Sequence, residues 1–176
     1  MNLHIPPTPD DESERMEALR KLGVLDSEVD PLLDAVAELA AMICETPMGV
    51  VTIVADNRQW FKASEGLDVT GTTRDEAFCA HAILEPERAM VIPDAADDLV
   101  FSDHPLVTGD FGLRFYAGIP LSPTGQPIGT LCVIDTKPRD LSEEHLDALR
   151  VLARIAEGIL LLQSPASALP VPEPTS

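Results

Sequence analysis

RFYAGIPLSPTGQPIGTLCVID, residues 114–135, reads as two strands joined by a tight loop. Phe115 to Leu121 and Ile128 to Ile134 are rich in aromatic and β-branched residues, and Pro123, Thr124 and Gly125 supply turn chemistry between them. The pattern predicts a hairpin. Successive strand residues point to opposite faces, so Ile128, Cys132 and Ile134 share one side and Leu131 and Val133 the other. Both sets are apolar, which calls for cover on both faces and makes the second strand a central one. A sheet covered by helices on one side and by loops and short helices on the other encloses a pocket, the mark of a sensor or a small enzyme.

Upstream of the hairpin, Ala89 to Ile92 is a short strand, followed by the connection DAADDLVFSDHPLVTGDFGL over 94–113. Connections of this length in a compact domain are often functional. Asp94 is placed to cap a helical turn containing Leu99. Further back, Met48 to Ala55 is an uninterrupted apolar run between Pro47 and Asp56-Asn57, which predicts a buried strand. Gln59 to Ser64 pairs back as an edge strand with Trp60 and Lys62 on one side and Phe61 and Ala63 on the other. Residues 66–73 read as loop, and Asp75 caps a short helix, Glu76 to Leu84, that carries Phe78, Cys79 and His81.

Three longer helices frame these strands. The first starts near Asp11 or Ser13, repeats Met16, Leu19 and Leu22 on one face and stops at Gly23. A second begins at Asp30-Pro31, a cap followed by proline at the first helical position, and its apolar residues from Leu32 to Ile43 recur every three or four positions. The last is capped by Ser142, with Glu143 and Glu144 in the first turn, and runs to Gln163. Its apolar residues form two stripes: Leu146, Leu149, Ala153, Ala156 and Leu160, against Leu152, Ile155, Ile159 and Leu162. One stripe covers the sheet and the other is left for a partner helix, which predicts a homodimer. The expected organisation is a flexible arm over 1–10, one domain over 11–163 and a disordered Pro/Ser/Ala-rich tail over 164–176.

A chain of 176 residues buries one core without disulfides or metal. Its formal net charge of -18 keeps it soluble and repels nucleic acid and anionic membrane at long range. Cys44, Cys79 and Cys132 are too few and too scattered for a disulfide framework or a zinc site, so reduced thiols are expected. The N-terminal MNLHIPPTPDDESER has neither a basic nor an apolar leader region, and a cytoplasmic location is expected.

With these segments placed, the chain from about Leu22 to Leu162 resembles a GAF domain of the type fused to bacterial histidine kinases and cyclic-di-GMP enzymes. The likeness is carried by RQWFKASEGL (58–67), TRDEAFCAHAI (73–83), VIPDAADDLVF (91–101), RFYAGIPL (114–121) and GTLCVIDTKPRDLS (129–142). It implies an α+β, three-layer, profilin-like architecture: an antiparallel sheet of five or six strands, three helices on one face, and a cavity on the other roofed by the short helix and the long connection. It also implies a regulatory role in which an unidentified small molecule alters helix packing in a dimer. No kinase, cyclase or DNA-binding segment accompanies this copy, so a self-contained module would act on a kinase or cyclase in trans.

The candidate ligand-pocket residues are Trp60, Phe61, Arg74, Phe78, Cys79, His81, Asp94, Arg114 and Tyr116. Cys79 and His81 stand about 200° apart on a helix and do not converge on one ion, so no metal is expected. Arg114 suits either a carboxylate at Asp94 or Asp97 or an anionic ligand, and Arg74 is a second such cation. Trp60, Phe61 and Tyr116 either pack or stack on a ligand. The sequence lacks the paired Cys-His of bilin-attaching GAF domains and the Asn-Lys signature of cyclic-nucleotide binders. The chain is therefore expected to be a sensory module and not an enzyme, with no cofactor identified. One alternative is a redox enzyme resembling free methionine-R-sulfoxide reductase, although residues 94–113 hold no cysteine. The other is a ligand-free interaction scaffold.

Overall fold

The computed structural model describes residues 4–165. Six strands form one antiparallel sheet: β1 (Met48–Val54), β2 (Arg58–Glu65), β3 (Gly71–Thr73), β4 (Met90–Ile92), β5 (Phe115–Leu121) and β6 (Gly129–Asp135), in the spatial order β3-β2-β1-β6-β5-β4. The hairpin read from residues 114–135 is β5–β6, with Phe115 opposite Asp135 and Leu121 opposite Gly129. β6 lies between β5 and β1 and is a central strand, as its apolar residues on both parities require.

Helices α1 (Glu12–Leu22), α2 (Pro31–Ile43) and α5 (Glu143–Gln163) cover one face. The local chemistry sets their ends. Gly23 terminates α1 in a left-handed conformation, φ 69°, and returns its N–H to the Leu19 carbonyl. The Asp30 carboxylate accepts from the Leu32 and Leu33 N–H groups at the start of α2. Ser142 Oγ accepts from the His145 N–H at the start of α5. Leu33, Ala37 and Ala40 of α2, Leu149 and Ala156 of α5, and Val51, Ile53, Leu131 and Val133 of the sheet fill this side. Gln163 donates to Asp30, so the end of α5 lies beside the start of α2.

The opposite face carries two short helices, α3 (Phe78–Ala82) and α4 (Pro105–Thr108), and the 94–113 connection. β2 is not an edge strand, because residues 71–73 pair outside it as β3, with Gln59 opposite Thr72. A bulge between Val51 and Thr52 skips Lys62, so Ala63 faces the helices and Phe61 the opposite side, and the simple alternation fails there. α3 begins at Phe78 behind Ala77, with no side-chain cap from Asp75. The connection contains α4, capped by the His104 ring, whose Nδ1 accepts from the Leu106 N–H at 3.0 Å. On α5, Leu152 joins the buried face, while Val151, Ile155 and Leu162 remain exposed.

One buried charge cluster locks the helical layer to the sheet ends. The Arg15 guanidinium is fully buried, holds the Glu12 carboxylate through two bonds of 2.8 Å, and donates to the Val54 carbonyl at 2.8 Å. Arg74 donates to the same carboxylate and to the Ala55 carbonyl. Burial alone pushes the Glu12 carboxyl up, but the two guanidiniums outweigh it and bring it down to about 2. Residues 4–10, expected as an arm, contribute His4, whose carbonyl accepts from His81 Nε2 and whose Nδ1 lies 3.0 Å from Asp103. The tail expected from residue 164 falls almost wholly outside the described residues.

Candidate functional site

A cavity of about 200 Å³ lies between the sheet and the roof formed by α3, α4 and the end of the long connection. Apolar space of roughly 150 Å³ suffices for benzene, so this one admits a molecule of aromatic-ring size or somewhat larger. Its floor is the pocket-facing parity of three strands: Val50 and Thr52 of β1, Cys132 and Ile134 of β6, and Tyr116 of β5. Phe78 and Cys79 of α3 and Leu106, Phe111 and Leu113 of the connection form the roof. Gln59, Phe61, Leu67 and Thr72 close the side. Neither lysine nor arginine lines it, and its one carboxylate is Glu76.

Of the residues proposed from sequence, Phe61, Phe78, Cys79 and Tyr116 line this cavity together. Trp60 does not, because it packs against the helix-side core, with the Lys62 amine 5.7 Å from its ring. Arg74 pairs through Nη1 with Glu12 and the Ala55 carbonyl, and its buried Nη2 has no partner among the described residues. His81 turns away from Cys79 toward the His4 carbonyl and the Phe101 ring, and burial lowers its pKa. Arg114 and Asp94 form a bidentate pair, with both bonds 2.6 Å, outside the cavity. That pairing is the guanidinium–carboxylate match expected for them.

Sequence reasoning missed the polar residues of the floor and side. Thr52 and Thr130 face each other across β1 and β6, with their hydroxyls 3.1 Å apart. Each interrupts an apolar strand on the pocket-side parity, Thr52 in the cavity wall and Thr130 beneath it beside Cys79, and a hydroxyl at a buried parity is the signal that could have found them. Gln59 is 6% exposed; its amide N–H donates to Thr72 Oγ1 at 3.3 Å, and its Oε1 has no partner among the described residues. A buried amide oxygen left unpaired is costly.

The polar chain converges on sulfur. Tyr116 Oη donates to Cys79 Sγ at 3.2 Å and Thr130 Oγ1 donates to it at 3.1 Å, while Cys132 Sγ lies 3.9 Å away. Burial by itself raises the Cys79 thiol, yet hydrogen bonds from Cys132, Thr130, Thr52 and Tyr116 prevail and bring it down to about 7. Cys132 is pushed well up, chiefly because it donates to Cys79. Burial likewise raises Tyr116, which keeps its phenol proton and remains a donor. Gly118 makes this placement possible, since a Cβ there would meet Tyr116 Oη at 2.2 Å.

The family model for the GAF domain matches residues 28–160. The chain belongs to the GAF family. It is 40% identical over 152 residues to a protein of Pseudomonas aeruginosa named cyclic di-GMP phosphodiesterase, covering 85% of this chain and 26% of that protein. The chain thus spans about a quarter of that relative's length. The GAF domain of an Acinetobacter phosphoenolpyruvate-protein phosphotransferase superposes with a TM-score of 0.64 at 16% identity, over 89% of this chain and 98% of that one. A type II free methionine-R-sulfoxide reductase from Thermoplasma acidophilum superposes with a TM-score of 0.60 at 14% identity, over 76% and 92%.

These findings establish a GAF domain with a six-stranded sheet. The structural likenesses, at 14–16% identity, show the fold alone. The expectation that the chain is not an enzyme is overturned by the curated relative, because a protein named as a phosphodiesterase matches it at 40% identity. No helix among the described residues is long and apolar enough to cross a membrane.

Proposed function

We propose that the chain is a cytoplasmic GAF module that receives a small-molecule signal for the control of cyclic di-GMP hydrolysis. The likeness to a cyclic di-GMP phosphodiesterase supports the output. The observation that carries the input is the cavity itself, an apolar chamber with Gln59 in its wall, whose buried Oε1 has no partner among the described residues. Its ligand is a compact, mostly apolar molecule bearing an N–H or O–H donor. Cyclic di-GMP carries two phosphates, and a 200 Å³ chamber with no cation in its wall is suited to neither their charge nor their bulk. Signal and substrate are therefore different molecules.

The exposed apolar residues Leu32, Leu39 and Met42 of α2 and Val151, Ile155 and Leu162 of α5 support a homodimer through these helices. Occupancy of the cavity would be transmitted through the sheet to that surface. A closed scaffold is the weaker reading, because it leaves the Gln59 oxygen buried without return.

Thermal-shift titration with indole, a planar donor of suitable size, tests the input. Binding to the folded state raises apparent stability, and Gln59→Leu reduces the shift while Phe61→Ala enlarges the chamber and weakens binding of so small a probe. No shift with indole, adenine or aromatic amines would remove the ligand reading. Sedimentation of Ile155→Glu tests the dimer, with a monomer as the expected result.

A further inference from the structure

Two hydroxyl groups, from Tyr116 and Thr130, donate to one buried sulfur, and a second sulfur stands 3.9 Å from it. A neutral thiol is a weak acceptor that does not call for two O–H donors, whereas a thiolate is stabilised by them. Thr130 is itself held in place: its backbone N–H donates to Thr52 Oγ1 at 3.1 Å, and the two hydroxyls are in contact. Both sulfurs border the cavity, although only 2% of Cys79 and 1% of Cys132 is exposed. Cys44 lies on the helix side and has no comparable environment, and burial pushes its thiol up to about 11.

We propose that Cys79 and Cys132 form a thiol-oxidation site for small organic hydroperoxides that enter the apolar cavity. Cys79 is the attacking sulfur and Cys132 the resolving one. The Cys79 thiolate attacks the terminal peroxide oxygen; the O–O bond breaks, the alkoxide departs and takes up the proton that Cys79 released, and Cys79 becomes a sulfenic acid. The Cys132 sulfur then attacks the sulfenic sulfur. An S–S bond forms, the S–O bond breaks, and hydroxide leaves with the Cys132 proton as water. Two thiols have given two electrons to one hydroperoxide, yielding a disulfide, one alcohol and one water. A dithiol reductant reverses the modification.

Closure requires the sulfurs to approach from 3.9 Å to about 2.05 Å, which draws α3 toward β6 and contracts the inner end of the cavity. The inference does not depend on the cavity having another ligand. Hydrogen bonds lower the Cys79 thiol and the cavity reaches it, whereas burial raises the Cys44 thiol on the helix side. Cys79 should therefore react with a hydroperoxide faster than Cys44.

The test is to treat the reduced, folded protein with tert-butyl hydroperoxide and follow intact mass and peptide maps. The expected result is a loss of two hydrogens, mapped to a Cys79–Cys132 disulfide and reversed by dithiothreitol. Cys132→Ala should stop at the sulfenic acid on Cys79, which dimedone traps. Thr130→Val should slow the reaction about tenfold, because it removes one thiolate donor. Should Cys132→Ala fail to fold, Cys132→Ser gives the same readout. The proposal is overturned if Cys79 in the folded wild type reacts no faster than Cys44, or if oxidation goes beyond the sulfenic acid without forming the disulfide.

Discussion

The two faces of β1 and β6 are built from alternate residues of the same strands, yet they are filled in opposite ways. On the helix side, Val51, Ile53, Leu131 and Val133 mesh with α2 and α5. On the other, Thr52, Thr130 and Cys132 carry polar atoms, and the short roof leaves a chamber above them. Long amphipathic helices can lay continuous apolar stripes across a sheet, whereas a five-residue and a four-residue helix linked by loop cannot. The alternation of a strand thus separates the part of the molecule that stabilises the fold from the part that is free to do chemistry.

The largest test of that separation uses neighbouring positions on β6. Leu131→Ala should cost about 2–5 kcal/mol in urea denaturation, because a filled core cannot collapse around the missing volume. Ile134 borders an existing chamber and is half-buried. Ile134→Ala should cost only about 1 kcal/mol, since part of its surroundings is already void. Equal losses at the two positions would erase the distinction between the faces. A smaller but still large effect is expected for Arg15→Ala, which strips Glu12 of its bidentate partner. Arg74 compensates in part, so a loss of about 2–3 kcal/mol is expected, with little change in indole binding at the cavity.

The contrast also explains what the sequence could reveal. Periodicity and caps were legible wherever a residue's local role matched its tertiary role, as at Asp30, Ser142 and Gly23 and in the β5–β6 pairing, although Ile128, expected beside Cys132 and Ile134, lies before β6 and packs on the helix side. The bulge at Lys62 and the three-residue β3 were not, because both depend on what a neighbouring strand offers and not on local pattern. At the site, the apolar candidates Phe61, Phe78 and Tyr116 were visible as aromatic residues near a roof. Arg74 stands out as a cation in an acidic chain, but Glu12 takes it up, while Arg114 pairs with Asp94, the carboxylate use its fork geometry suggests. Gln59 was unreadable, since its importance rests on an oxygen left without a partner in three dimensions.

Acid should loosen the two sides in sequence. His104 caps α4 as the neutral ring, with Nδ1 accepting; burial chiefly, and His4 secondarily, lower its pKa from 6.5 to about 4. Above pH 6.5 neither folded nor unfolded protein binds this proton, and the full stability is present. Between 6.5 and about 4 the unfolded chain takes up the proton and the folded one does not, so stability falls. Glu12 acts lower, its contribution being complete above 4.5 and lost toward about 2. Hydrogen exchange should therefore show amides of α4 and the 94–113 roof losing protection first, with α1 and α2 holding until the pH is below 4.5. Simultaneous loss on both sides would mean that the roof is no weaker than the core.

The smallest expected effect sharpens the comparison by its absence. Arg114 pairs with Asp94 at the outer margin of the pocket side, where solvent reaches both partners, and exposed pairs add little to stability. Arg114→Gln should leave the urea midpoint almost unchanged and the indole shift intact, because the guanidinium touches the long connection and not the chamber. A Gln variant that folded normally but lost the indole shift would move the binding site from the hollow under α3 to the acidic margin. The ligand would then be an anion recognised by a freed guanidinium, and the polar cluster of Thr52, Thr130 and Cys79 would have to be explained by the thiol chemistry alone.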